Sequence, residues 1–285
     1  MTEMSSQSIR TQVRGIDGLS IRYAESEPRG DQALLLSPWP ESVYSYEPTW
    51  SKLAEHMHLL AIDLPGFGRS ERRDDLMSPR AMGEFVARAA DAFGLEQPHL
   101  VGPDVGTGAS LFAAALHPGR FRSLAIGTGG AAFPLQLGGV LKEWVEAPSL
   151  EPYRKIDGRQ IVTAAMSTLE RYTLTDTARE DYLASYAGER FAESMRYVRT
   201  YPEQLRALGD LLPTIQTPVL IINGMRDPVV PPANAEYLHD RLPKSKLELI
   251  DAGHFLWEDA ADTYAALLKG WWAGEYMKAG SPASS

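Results

Sequence analysis

The sequence predicts an α/β protein with a mostly parallel sheet and a block of helices inserted late in the chain. Three observations carry this. Short continuous apolar runs alternate with helical patterns along most of the 285 residues, as expected for a parallel sheet covered on both faces. The alternation stops between about residues 131 and 212, which read as helical and aromatic with no convincing strand. One strand, sharp turn and helix over residues 98–116 is built from unusually small residues, so its backbone segments are expected to approach closely.

In chain order, the expected strands are Ile21–Tyr23, Ala33–Leu36, Leu59–Ile62, His99–Val101, Leu124–Ile126, Val219–Ile222 and Leu247–Ile250. Helices are expected at roughly 48–57, 79–93, 107–116, 233–241 and 259–273. The domain division that follows is a core of residues 1–130 and 213–285 and a helical cap of residues 131–212. Cap aromatics include Trp144, Tyr153, Tyr172, Tyr182, Tyr186, Phe191, Tyr197 and Tyr201, most of them expected to serve as packing. In such sheets, ligands bind at the carboxyl ends of the strands.

Composition narrows the function classes. Apolar residues make up 44% and charged residues 23%, with a formal net charge of −9. Negative charge argues against nucleic acid or an anionic membrane as partner. The absence of cysteine excludes disulfides, zinc–thiolate sites and thiol catalysis. Met1–Arg10 is polar without an apolar run, and no stretch has the length of a membrane span, so a cytoplasmic location is the expectation. The tail Ala279–Ser285 is small and polar and is expected to fray. Association into a homodimer is left open.

The chemistry centres on Gly102-Pro103-Asp104-Val105-Gly106. A strand–turn–helix of this kind normally carries serine at its apex, as G-x-S-x-G. Here Asp104 takes that place. Serine attacks acyl carbon, whereas an ionised carboxylate can displace a leaving group from an alkyl carbon and form an ester of the protein. Hydrolysis of that ester needs a base with an orienting acid. Of the six histidines, His56, His58, His99, His117 and His239 sit at strand starts, a helix end or a charged helix. His254 alone follows a strand in a turn, Asp251-Ala252-Gly253-His254-Phe255. Asp227 follows the strand before it. Nucleophile, acid and histidine thus occur in the order Asp104, Asp227, His254.

With these residues the chain resembles the α/β-hydrolase superfamily over nearly its whole length. Asp63-Leu64-Pro65-Gly66-Phe67-Gly68-Arg69-Ser70 is similar to the superfamily's D-x-x-G-x-G-x-S loop. The resemblance implies an eight-stranded, mostly parallel α/β-hydrolase sheet flanked by helices, with an inserted helical cap. An aspartate at the turn is similar to the epoxide hydrolase and haloalkane or fluoroacetate dehalogenase branch. The chain departs from that branch where H-G-x-P is expected: it has Ser37-Pro38-Trp39-Pro40, followed by Glu41-Ser42. By resemblance, the backbone N–H groups of Trp39 and Val105 form the oxyanion hole and the Trp39–Pro40 bond is cis.

The leaving group separates the branches. Epoxide opening leaves an alkoxide that needs a proton donor, and a tyrosine hydroxyl suits it. Tyr153 and Tyr197 fit the resemblance by position, with Tyr186 and Tyr201 in reserve. The fluoroacetate dehalogenase resemblance implies arginines where Val105 and Gly108 stand. Haloalkane cleavage would place tryptophan at Val105, although the Trp39 indole could still offer its N–H to a halide. The resulting expectation is an epoxide hydrolase-like enzyme acting on a small apolar substrate, with no cofactor or metal. A haloalkane dehalogenase and a non-catalytic ligand-binding fold are the alternatives.

Overall fold

A computed structural model describes residues 8–280. The start of the polar segment Met1–Arg10 and the end of the tail Ala279–Ser285 lie outside the described residues. The strands are β1 (Thr11–Ile16), β2 (Leu19–Glu25), β3 (Asp31–Leu36), β4 (Met57–Ile62), β5 (His99–Pro103), β6 (Ser123–Gly127), β7 (Val219–Gly224) and β8 (Ser245–Ile250). The first helices are α1 (Glu47–Ala54), α2 (Pro79–Ala92) and α3 (Val105–Leu116). Between β6 and β7 lie α4 (Gly139–Glu146), α5 (Glu151–Arg154), α6 (Gly158–Met166), α7 (Asp176–Ser185), α8 (Arg190–Val198) and α9 (Tyr201–Leu211). The chain ends with α10 (Ala233–His239), α11 (Leu256–Asp259) and α12 (Ala261–Trp272).

The eight strands form one sheet in the order β1-β2-β4-β3-β5-β6-β7-β8. β2 runs antiparallel to both β1 and β4, and the remaining pairs are parallel. The period-2 alternation of a strand sorts its side chains between two cores. Leu34 and Leu36 of β3 join the layer under α2 and α3, with Phe85 and Phe112. Ala33 and Leu35 face the layer of α1 and α12, with Trp50, Leu268 and Trp271. Full burial of each such leucine stabilises the fold by about 2–3 kcal/mol.

Three elements differ from the expectations. β1 is absent from them because nearly all of its residues are exposed, which leaves no apolar face to read. Its pairing is set by Asp17-Gly18, both at positive φ, a tight hairpin turn between Ile16 and Leu19. The helix expected at 48–57 stops at Ala54 because Met57 already pairs with Asp31 at the start of β4. The helix expected at 259–273 is broken at Ala260 (φ −128°, ψ 37°). There the Asp259 carboxylate accepts the backbone N–H groups of Glu170, Arg171 and Tyr172, so α11 is held at its own angle. Among the described residues, no helix is long and apolar enough to cross a membrane, and no cluster of metal-ligating side chains occurs.

Candidate active site

Asp104 stands between β5 and α3 at φ 53°, ψ −122°, a conformation that non-glycine residues rarely adopt and that a tight surround must impose. A Cβ on Gly102 would lie 2.2 Å from Ser110 Oγ and 2.6 Å from Gly106 O, so only glycine lets β5 and α3 approach this closely. The Asp104 N–H donates to Gly127 O at 2.9 Å, which ties the turn to the end of β6.

The Trp39 N–H donates to Asp104 Oδ2 at 2.7 Å, and the Val105 N–H also bonds the carboxylate. Oδ1 faces His254 Nε2 at 3.8 Å. The two carboxylate oxygens therefore have different surroundings: Oδ2 is held by the Trp39 N–H and Oδ1 is turned toward the imidazole. Burial pushes the Asp104 carboxyl up to about 6, although His254 and the two N–H groups favour the charged form.

His254 Nδ1 lies 2.8 Å from Asp227 Oδ2. Asp227 Oδ1 accepts the N–H groups of Val229 and Val230 at 2.8 and 2.9 Å, so the acid is fixed by its own loop. Burial disfavours the imidazolium, but the Asp227 carboxylate, helped by Asp104, outweighs it and raises the His254 pKa. β5, β7 and β8 end on the same side of the sheet, and this parallel arrangement brings the three side chains together.

The loop carrying Trp39 is braced from two directions. The Trp39–Pro40 peptide is cis, as the resemblance implies. Within the D-x-x-G-x-G-x-S loop, Asp63 accepts the Val43 N–H at 2.9 Å, the Arg69 N–H at 2.9 Å and Arg22 Nε at 2.6 Å. A Cβ on Gly68, at φ +50°, would lie 2.2 Å from that carboxyl group. Arg22 continues to Asp181 of α7 at 2.7 and 2.8 Å, which pins the helical segment to the sheet. From the other side, the Trp39 indole donates to Ser194 Oγ of α8 at 2.8 Å and stacks on Phe191.

The four tyrosines have separate placements. Tyr197 is fully buried, and its hydroxyl donates to Val105 O at 2.9 Å, next to Asp104 in the chain but engaged with the backbone of α3. Tyr186 donates to Glu41 O and accepts from the Gly68 N–H, both at 3.0 Å, so it braces loops. The Tyr153 side chain is half-buried against the core, and among the described residues its hydroxyl bonds none of Asp104, Asp227, His254 or Trp39. Tyr201 is buried against Tyr197 and the backbone of Gly130. Its hydroxyl makes no hydrogen bond among the described residues, and burial together with Tyr197 and Asp104 raises its pKa.

Ser194, Glu41 and Glu258 also belong to these surroundings. Sequence reading does not single them out, because a serine within a helix and two isolated glutamates carry no motif. Only the hydrogen bonds from Trp39 and Trp257 reveal Ser194 and Glu41.

Comparison with known proteins supports the same framework. The model of the α/β hydrolase fold family matches residues 34–261. The chain is 27% identical over 273 residues to the dihydrolipoyllysine-residue acetyltransferase component of the acetoin cleaving system of Cupriavidus necator, covering 90% of this chain and 68% of that protein. It is 27% identical over 220 residues to 2-hydroxymuconate semialdehyde hydrolase of Pseudomonas putida, covering 74% and 75%. Among solved structures, the epoxide hydrolase CorEH without ligand superposes with a TM-score of 0.77 at 18% identity, over 93% of this chain and 99% of that one. At that identity the likeness is one of fold.

Proposed function

We propose, from the premise that this chain belongs to the α/β hydrolase fold family, that it is a hydrolase working through an aspartate ester, with an epoxide as the substrate. The observation that carries the reading is the unequal surroundings of the Asp104 oxygens. Oδ2 accepts the Trp39 N–H, while Oδ1 is the oxygen turned toward His254. Oδ1 attacks an epoxide carbon, the C–O bond of the ring breaks, and the leaving oxygen takes a proton from a tyrosine hydroxyl. The Trp39 and Val105 donors then surround the carbonyl oxygen of the new ester. His254, oriented by Asp227, removes a proton from water, the resulting hydroxide adds to the ester carbonyl, and the donors stabilise the oxyanion. Collapse releases a vicinal diol and regenerates Asp104, and the proton taken up by His254 passes to the tyrosinate, which restores both groups.

Residues 131–212 serve in this reading as the cap that supplies the proton donor. Tyr201 has the hydroxyl free for that role, whereas the Tyr197 hydroxyl is engaged by Val105 O. Tyr153, expected by position, has no bond to the site. A dehalogenase would need indole donors for halide, and the Trp39 indole is committed to Ser194. The relatives named as a semialdehyde hydrolase and an acetyltransferase component keep the family in view, but in this reading Asp104 changes the electrophile from acyl to alkyl carbon. A single turnover in ¹⁸O water tests the mechanism: label should enter Asp104 before product. Label appearing first in the diol rules out the ester. Diol formation measured against halide release separates the two substrate classes.

A further inference from the structure

Two carboxyl groups outside the proposed chemistry are buried beside it. Glu41, two residues after Trp39, is fully buried, and Glu258 of α11 is 2% exposed. The side chains lie within hydrogen-bond reach of each other. Glu41 Oε1 accepts from Trp257 Nε1 at 3.1 Å, and Glu258 Oε1 accepts from the Tyr182 hydroxyl at 2.9 Å. The second oxygen of each, Oε2, has no donor. Among the described residues neither carboxyl has an ion-pair partner.

Buried oxygens without donors are costly, and two adjacent buried carboxylates repel. A proton held between the two groups supplies the missing donor and removes one charge. We infer that Glu41 and Glu258 form a single proton-sharing acid pair, and that this pair positions both halves of the site. Glu41 belongs to the loop that presents the Trp39 N–H. Its other oxygen holds Trp257, whose ring packs edgewise on His254 at 6.0 Å. Deprotonation would place a second negative charge close to where the oxyanion of the ester forms.

The other groups facing the pair do not supply a compensating positive charge. Glu41 is met by Tyr46 and Tyr186 and by the charge of Asp104. Glu258 is met by Tyr182, Tyr172, Glu47 and Asp259. Burial, with Glu258 and Asp104 near Glu41 and with Asp259 and Glu47 near Glu258, raises both glutamates above the usual carboxylate range, although the hydrogen bonds from Trp257 to Glu41 and from Tyr182 to Glu258 favour the charged forms.

The existence of the pair is independent of the substrate, while its positioning role rests on the Asp104 mechanism. Infrared difference spectra of the full chain between neutral and alkaline pH test the first. Wild type should show the C=O stretch of a buried protonated carboxyl at neutral pH, and Glu41→Gln and Glu258→Gln should each remove it. The glutamines keep the shape and offer an amide donor in place of the shared proton, and two variants guard against one failing to fold. Absence of the band, or a band that neither substitution touches, overturns the pair. For the second, ester hydrolysis in wild type should fall on the alkaline side in step with loss of the band, and that limb should be missing in both variants. An identical limb in wild type and variants overturns the positioning role. If Asp104 forms no ester at all, the mechanism fails while the spectra still decide the pair.

Discussion

The indole Nε1–H of Trp39 donates to Ser194 Oγ at 2.8 Å, so the residue that presents an N–H to Asp104 is itself held by helix α8. The two ends of one residue thereby link the helical segment to Asp104. Ser194→Ala leaves a buried indole donor without a partner, which costs about 1–3 kcal/mol. The expected outcome is a lower thermal midpoint and a turnover reduced about tenfold, with Ser194→Thr restoring much of both. Equal turnover in the alanine variant and wild type would show that the oxyanion loop does not need the helix.

Removal of the Asp104 charge should separate stability from activity. The folded-state pKa of Asp104, about 6, lies above its ordinary value of 3.8. Its contribution to stability is therefore full at pH below that ordinary value and is lost as pH rises through about 6. Asp104→Asn should abolish turnover and, well above that pH, stabilise the fold by roughly 2–3 kcal/mol. Urea melts on the acid and alkaline sides of this window check it, and a variant destabilised equally on both sides contradicts it.

Ester formation needs ionised Asp104. Its rate, read in single-turnover mixing, should fall below about pH 6, where burial holds the carboxyl protonated. Hydrolysis of the ester needs neutral His254, whose pKa is raised by Asp227, so that step should quicken as pH rises through the shifted value. A pH-independent first step would exclude Asp104 as the attacking group.

Loss of the base should trap the intermediate. His254→Gln is expected to give one equivalent of covalently modified protein, visible by mass spectrometry, and then to stop. Asp227→Asn removes the carboxylate charge that orients His254 across their 2.8 Å contact and should slow hydrolysis of the ester by about 10³–10⁴, with ester formation much less affected. Full turnover in either variant is incompatible with the assigned roles.

The tyrosines give the sharpest test of substrate class. Tyr201→Phe should slow epoxide opening by at least about 10² and leave cleavage of a haloalkane, where halide needs no proton, nearly unchanged. Tyr197→Phe removes the bond to Val105 O and should register mainly as lost stability, about 1 kcal/mol. The reverse pattern would transfer the donor role to Tyr197.

Much of the framework is legible locally. Apolar runs such as Ala33–Leu36 of β3 and Val219–Ile222 of β7 reveal parallel strands because burial on both faces demands continuous apolar sequence. The small residues around Asp104 reveal the turn because only they permit the close approach of β5 and α3. Strand β1, almost wholly exposed, is silent for the opposite reason.

Sequence by itself thus determined the sheet, the aspartate at its turn, and the order in which Asp227 and His254 follow. Tertiary structure alone decided which hydroxyls are free and which carboxyls lie side by side. Tyr197, Tyr186 and Tyr201 are the same letter in one aromatic segment, yet their hydroxyls meet Val105 O, Glu41 O and, among the described residues, no partner. Glu41 and Glu258 are 217 positions apart in the chain and come within hydrogen-bond reach only when α11 packs beside the loop that carries Trp39. Hydrogen bonds of this kind depend on atoms brought within about 3 Å by packing, and nothing in the local sequence encodes that distance.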